Sequence, residues 1–232
     1  MTTDLTFITN EEGRTLLDRF KVLIKGTSLF DCLSGYFYIS GFYKLYSSLE
    51  PTEKIRILVG IKTDRGVYNL IEEAKENQKT LSTKEAREGY VKEVEKEFEN
   101  SQDTEEVEQG ARKFLEWLQS GKLEIRAYRE HTIHAKLYIM TFREGSPDDG
   151  RVITGSSNFT EAGLKDNIEF NVELKNSSDY RFALQKFNDL WSKSVPVSED
   201  CIAAVQIRTW LNDTITLPYL FVKFLLVDLN LF

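Results

Sequence analysis

The stretch HTIHAKLYIM, residues 131–140, contains both histidines of the 232-residue chain and places Lys136 two residues after His134. The apolar and polar alternation of HAKLYIM predicts a β-strand. Side chains two apart on a strand share a face, so we expect His134, Lys136 and Tyr138 together, with the residues between them pointing into the core. An ammonium group beside an imidazole is favourable where both bind an anion. The stretch therefore indicates a phosphate-binding site, although a half-buried strand with one polar face has the same pattern.

The strand HAKLYIM is one of several strands that turn residues and helices separate. Strands followed by helices and by strands again predict a layered α-β-α domain with a mixed, mostly parallel central sheet. Asn10 is expected to cap an amphipathic helix that ends near Gly26. The other predicted elements are the strands KIRILVGI (54–61), KLEIRAY (122–128), RVITGS (151–156) and EFNVEL (169–174), and a helix over 180–194.

The domain is expected to span residues 1–200, with a charged helical insertion at about 66–120. Residues 201–232 are interpreted as a helical extension or as a truncated linker to a further domain. Their closing stretch, LPYLFVKFLLVDLNLF, has 16 residues and contains Lys223 and Asp228. A bilayer crossing needs about 20 apolar residues, so no membrane partner is expected.

Charge and cysteine usage restrict the possible partners. The 30 basic and 37 acidic residues give a net charge of −7, so contact with nucleic acid would depend on a local basic patch. The basic residues near the histidine strand are Arg126, Arg129, Lys136, Arg143 and Arg151. Cys32 and Cys201 form no CxxC pair or disulfide framework, which favours a reducing cytoplasm.

A second group of polar residues follows along the chain. TGSSNF, residues 154–159, combines a glycine, small hydroxyls and an asparagine at the end of a predicted strand. Taken alone it is ordinary turn chemistry. Glu169, at the start of the next strand, is by itself an ordinary strand carboxylate. Together with His134 and Lys136, these residues contain the groups that phosphodiester cleavage requires.

Cleavage of a phosphodiester needs a nucleophile, a proton donor for the leaving oxygen, and donors to the phosphoryl oxygens. The His134 imidazole would attack phosphorus and form a covalent intermediate. Lys136 and Asn158 would hold the non-bridging oxygens, with Ser156 as a further donor. Glu169 would accept from the second imidazole nitrogen and orient the ring. Two histidines and two distant cysteines offer no zinc-like spacing, and no metal or other cofactor is expected.

The combined spacing resembles the HKD motif of the phospholipase D superfamily. His134-x-Lys136 is followed by Gly155-Ser156-x-Asn158, and Glu169 lies 11 residues beyond that asparagine. The resemblance is specific over residues 120–175 and extends with weaker support over 1–200. GYFYISGF and KIRILVGI look most like the amino-terminal phospholipase D-like domain of bacterial and archaeal helicase-associated proteins, and the chain is also similar to single-motif nucleases.

The resemblance implies a metal-independent phosphodiesterase that acts on DNA through a phosphohistidine. The family chemistry uses two histidines, and His131, three residues before His134, would point to the opposite face of a continuous strand. A second copy of the chain would therefore supply the other imidazole, which predicts a homodimer with the site on its two-fold axis. The resemblance also implies a fused or associated helicase or ATPase.

One position departs from the family pattern HxKxxxxD, because Thr141 stands where the motif has aspartate. This departure and the acidic balance favour an alternative, a non-catalytic module that binds DNA or a partner for a helicase or a restriction or defence system. A third interpretation is a globular α/β domain in which the motif is coincidental. Hydrolysis of lipid headgroups is disfavoured, since the chain has no second motif and no basic amphipathic surface helix.

Overall fold

A computed structural model describes residues 6–35, 39–60, 104–128, 130 and 133–198. Much of the predicted charged insertion and the whole of 201–232 lie outside these residues. The described helices are α1 (Leu16–Leu23), α2 (Ile39–Leu49), α3 (Glu105–Gln119) and α4 (Ser177–Ser192). The strands are β1 (Phe7–Ile8), β2 (Thr27–Ser34), β3 (Lys54–Gly60), β4 (Leu123–Tyr128), β5 (Lys136–Phe142), β6 (Gly150–Gly155), β7 (Asn171–Leu174) and β8 (Val195–Pro196).

The eight strands form one sheet in the order β1-β7-β6-β5-β2-β3-β4-β8. The layered α/β architecture with a mixed sheet is confirmed. The expectation of a mostly parallel sheet is wrong, because only β2–β3 and β3–β4 pair in parallel. Strands β5, β6 and β7 pair antiparallel, since the connections between them contain no long crossover helix to return the chain to the same end of the sheet.

Helices cover both faces of the sheet. On one face α1, α2 and α3 pack over a core that includes Phe20, Phe42 and Phe114. On the other face α4 buries Tyr180, Ala183 and Phe187 against the strands. Side chains cap three of the helices: Thr15 accepts from Asp18 N, Thr104 from Val107 N, and Asn176 from Ser178 N.

Burial on both faces corrects one expectation for the histidine strand. Tyr138, expected on a polar face, is fully buried against Phe20, with ring centroids 5.0 Å apart. Ile139 is also fully buried, on the α4 side of the sheet. Strand β5 is thus a central strand, buried in its middle and partly exposed only at its two ends.

Candidate functional site

The predicted site residues gather at one edge of the sheet. Strands β2, β3, β4 and β6 end at this edge, and β5 and β7 begin there. Lys136 is the first residue of β5 and pairs with Ser34, the last residue of β2. Gly155 ends β6 and pairs with Asn171, the first residue of β7. The sheet therefore brings together residues that lie far apart in sequence. We call this end of the strands, with His134, Lys136, Ser156, Asn158 and Glu169, the rim.

His134 lies just outside the strand that the sequence predicts for it, because β5 begins at Lys136. A Cβ on Gly35 would lie 2.6 Å from the Ile133 carbonyl oxygen, so the glycine lets this segment cross the end of β2 closely. The His134 side chain is exposed, and its carbonyl accepts from the Lys136 ammonium at 3.0 Å. That contact uses one of three lysine donors and leaves two for a ligand.

Ser156 and Glu169 form a direct contact across the turn. The Ser156 hydroxyl donates to the Glu169 carboxylate and accepts from the Phe170 backbone N–H at 2.9 Å. Asn167 also donates to Glu169, at 3.4 Å. Within the described part of the chain no hydrogen bond or ion pair joins Glu169 to the His134 ring, so its orienting role stays a prediction.

Asn158 follows the same turn and has an unsatisfied acceptor. Its side-chain oxygen is buried, and none of the described residues donates to it. A buried amide oxygen without a donor is costly and calls for an explanation, of which a functional role is one. This property suits a side chain that completes its hydrogen bonds only when a ligand arrives.

Two side chains that the sequence did not single out as site residues hold this turn. Asn171, fully buried, accepts from Ser157 N at 3.3 Å and donates to the Ser157 hydroxyl at 2.9 Å. The Tyr138 hydroxyl donates to the Ser157 carbonyl at 2.7 Å. Burial, and then the neighbouring Cys32 and Glu169, raise the pKa of Tyr138 well above its usual value, so the phenol remains a donor at neutral pH.

Asn10 clamps the segment that leads to Glu169. It has a positive φ of 58°, and its amide donates to the carbonyls of Gly163 (2.9 Å) and Asn167 (3.0 Å). Its side-chain oxygen accepts from Leu16 N at 2.8 Å, but the helix begins at Leu16 with Thr15 as its N-cap. Asn10 thus bonds the first N–H of α1, as expected of a capping side chain, although Thr15 is the N-cap residue, and it also joins this segment to the rim.

We expect Gly155→Ala to disrupt the rim. The added Cβ would lie 2.2 Å from the Phe170 carbonyl oxygen and 2.6 Å from the Asn171 Cα, and both are backbone atoms. Overpacking of this kind costs about 1–3 kcal/mol. A shift of about 1 Å in a reacting group lowers activity about a hundredfold.

The measurements are urea denaturation and a DNA-cleavage assay. Gly26→Ala is the matched control, because its Cβ would meet only Phe142, at 3.9 Å. Equal behaviour of the two alanine variants in both measurements would contradict this account of Gly155.

Thr141, where the motif has aspartate, lies away from the rim. Its hydroxyl contacts the Tyr180 hydroxyl at 2.9 Å and so links β5 to α4. Burial raises the pKa of Tyr180, while the Thr141 hydrogen bond lowers it. The substitution therefore changes a contact between sheet and helix and leaves the rim residues in place.

Among the described residues, the basic side chains near the histidine strand do not gather around the site. Arg143 follows β5 and Arg151 is near the start of β6, both at the end of the sheet opposite the rim. Arg151 pairs with Asp148, and Arg143 donates to backbone carbonyls. Arg126 donates to the Trp191 carbonyl, and Arg129 lies outside the described residues. Lys136 alone of the five is a described rim residue.

The described residues contain no group of three or more His, Cys, Asp or Glu side chains arranged to hold a metal ion. Across the same part of the chain, no helix is both long and apolar enough to cross a bilayer.

Comparison with known proteins identifies the fold. The family described as cardiolipin synthase, phospholipase D-like domain, matches residues 49–191, more than half of the chain. No curated protein matches the sequence. Among solved structures, phosphatidylserine synthase from Haemophilus influenzae has 15% identity and a TM-score of 0.50, over 83% of this chain and 39% of its own.

Two smaller bacterial structures are also similar. The phospholipase D family member Nuc from Salmonella typhimurium has 15% identity and a TM-score of 0.47, over 82% of this chain and 95% of its own. NucT from Helicobacter pylori has 10% identity and a TM-score of 0.43, with coverages of 78% and 90%. The sheet is mixed and the motif residues of the chain lie on one rim of it. Because the family model also matches more than half of the chain, the chain belongs to the phospholipase D-like superfamily of phosphodiesterases.

Proposed function

We propose that the protein is a metal-independent phosphodiesterase that cleaves DNA through a phosphohistidine, with a site completed by a second copy of the chain. The observation that carries the proposal is the rim itself, where exposed His134 and half-buried Lys136 lie beside the end of β6, which leads into the turn of Ser156 and Asn158 and its contact with Glu169. The catalytic domain would span residues 1–200. Residues 201–232 would be a helical extension or a linker, and a helicase or ATPase would be a fused or associated partner.

In the first step a nitrogen of His134 attacks phosphorus. The new P–N bond forms as the bond from phosphorus to the leaving oxygen breaks, and the protonated imidazole of the partner's His134 gives its proton to that oxygen. In the second step the imidazole of the partner's His134, now neutral, takes a proton from water. The water oxygen attacks phosphorus, the P–N bond breaks, and both histidines return to their starting states.

The negative charge on the phosphoryl oxygens is stabilised by hydrogen-bond donors that are already in place. The Lys136 ammonium has two donors beyond the one bound to the His134 carbonyl. The side-chain N–H group of Asn158 would donate to the same oxygens. Its buried side-chain oxygen would accept a hydrogen bond from a donor that the bound complex supplies. Preorganised donors of this kind account for a large part of catalysis in phosphoryl transfer.

The alternative is a module that binds a phosphate group without cleaving it. It is favoured by the Glu169 carboxylate, which contacts Ser156 and Asn167 and has no contact with the His134 ring among the described residues. In that case the rim would position DNA or a partner for a separate motor. Phosphate contacts would supply the affinity without reading sequence.

The deciding experiment incubates the protein with single- and double-stranded DNA in EDTA and measures its mass in solution. We expect cleavage without added metal by a species of twice the 26.9 kDa chain mass. Magnesium-dependent cleavage would contradict the mechanism, and an active monomer would contradict the shared site. A gel shift without cleavage, unchanged by His134→Ala, would select the binding module.

A further inference from the structure

A buried hydrogen-bond network lies next to the rim. Its members are Tyr138 on β5, Ser157 in the turn after β6, and Asn171 at the start of β7, and all three are fully buried. The Tyr138 hydroxyl donates to the Ser157 carbonyl at 2.7 Å. The Asn171 side chain donates to the Ser157 hydroxyl at 2.9 Å and accepts from Ser157 N at 3.3 Å. The N–H, carbonyl and hydroxyl of Ser157 are therefore all bound, and we call the three residues the clamp.

Each clamp residue lies within two positions of a rim residue in the chain. The pairs are Tyr138 with Lys136, Asn171 with Glu169, and Ser157 with both Ser156 and Asn158. The clamp thus joins the three chain segments that carry the rim residues. Because a side chain moves with its own backbone, a hydrogen bond that fixes one residue also restricts the residues next to it. The clamp therefore sets the distances between the lysine, the turn and the carboxylate.

Packing holds the clamp rigid. The Tyr138 ring lies against Phe20 and Phe159, with ring centroids 5.0 Å and 6.2 Å away. A buried ring between close-packed neighbours has little freedom to move, so its hydroxyl keeps one position. Asn171 is held by the sheet, where it pairs with Gly155 of β6. A buried polar network whose members are bonded to one another specifies a single arrangement of the segments that it joins.

We propose that Tyr138 and Asn171 are positioning residues for the cleavage reaction at the rim, an inference that rests on the proposed function. Both act through Ser157, and neither contacts the bound phosphate. Loss of a clamp bond lets the turn shift relative to β5, which moves Asn158 away from the phosphoryl oxygens that Lys136 holds. A shift of about 1 Å in a reacting group lowers the rate about a hundredfold. The negative charge on these oxygens is held most tightly in the transition state, so the loss appears in kcat rather than in KM.

The test compares two substitutions that each remove one hydroxyl from a buried tyrosine. Tyr138→Phe removes a clamp bond and retains the packed ring. Tyr180→Phe is the matched control, because the Tyr180 hydroxyl contacts Thr141 at 2.9 Å, away from the rim. We expect Tyr138→Phe to lower kcat for oligonucleotide cleavage in EDTA about tenfold and to change KM less than about twofold. Tyr180→Phe should retain wild-type kinetics, while urea denaturation should show similar losses of stability in both variants.

Asn171→Ala removes the other side of the clamp. It breaks both bonds to Ser157 and should lower kcat at least as far as Tyr138→Phe does. Because both residues act through Ser157, the double variant should lose less than the product of the two single losses. If Asn171→Ala fails to fold, Tyr138→Phe alone carries the test, since phenylalanine fills the same space as the tyrosine ring.

The outcomes separate this inference from the proposed function. Wild-type kcat in Tyr138→Phe, or equal losses of kcat in Tyr138→Phe and Tyr180→Phe, would overturn the positioning role and leave the proposed function standing. Orthovanadate, which adopts the five-coordinate geometry of phosphorus in transfer, is the second probe. If the wild-type protein binds vanadate but cleaves nothing, weaker binding by Tyr138→Phe than by Tyr180→Phe would retain the clamp and overturn the function. Equal binding by the two variants in that case would overturn both, as would a wild-type protein that neither cleaves DNA nor binds vanadate.

Discussion

His134→Ala is expected to lower the rate of DNA cleavage in EDTA by at least about a thousandfold. The imidazole forms the bond to phosphorus in the proposed first step, and alanine offers no replacement nucleophile. The partner's His134 would be lost in the same variant, because both copies carry the substitution, and removal of an acid–base group costs a further factor of about 10²–10⁴. Single-turnover cleavage of a labelled oligonucleotide measures the loss.

The chain contains its own control for that experiment. His131→Ala removes the other histidine, three residues upstream, and should retain wild-type activity. Mixing His134→Ala with wild-type chains should lower activity further than dilution alone does, because mixed dimers contain one imidazole instead of two. Cleavage that needs magnesium and survives His134→Ala would contradict the mechanism.

Phe159→Ala is expected to lower the free energy of unfolding by about 3–5 kcal/mol, as large-to-small changes of buried aromatic residues do. Phe159 is 1% exposed and packs against Phe30 and Tyr138, with ring centroids 6.3 Å and 6.2 Å away. Gly41 approaches it so closely that a Cβ there would lie 2.7 Å from the Phe159 carbonyl oxygen. The cavity would open at the residue that follows Asn158 in the chain, so cleavage should also fall in the folded fraction.

Urea denaturation compares Phe159→Ala with Phe182→Ala, whose ring is exposed and whose stability should change by less than about 0.5 kcal/mol. Phe159→Leu should recover most of the stability, since it retains much of the buried volume. Equal losses for Phe159→Ala and Phe182→Ala would show that Phe159 does not anchor the turn to the core.

Sequence periodicity was sufficient for the order of elements around the site. Each of the five predicted strands lies within a few residues of its observed position, because alternation and turn residues are local signals. Periodicity could not show that Tyr138 is buried. Alternation tells which residues share a face, but the packing of α1 on that face depends on residues more than a hundred positions away.

The side chains that hold the rim in place also could not be predicted from the sequence. Asn10 bonds to Gly163, 153 residues later, and Asn171 bonds to Ser157, 14 residues earlier. An asparagine in a loop or at the start of a strand has the same local appearance whether it faces water or holds a turn. Nearness in sequence can also mislead. Arg143 and Arg151 are close to the histidine strand in sequence but lie at the opposite end of the sheet from the rim.

By itself the sequence determined which candidate site groups the chain has, namely the types and spacing of His134, Lys136, Asn158 and Glu169. Only the tertiary structure decided which groups touch. It joins Glu169 to Ser156, buries Tyr138 under the turn and leaves Phe170 exposed beside the rim. The physical reason is that a side chain's partners depend on strand order and register, and these are fixed by the burial of the whole sheet rather than by any short segment.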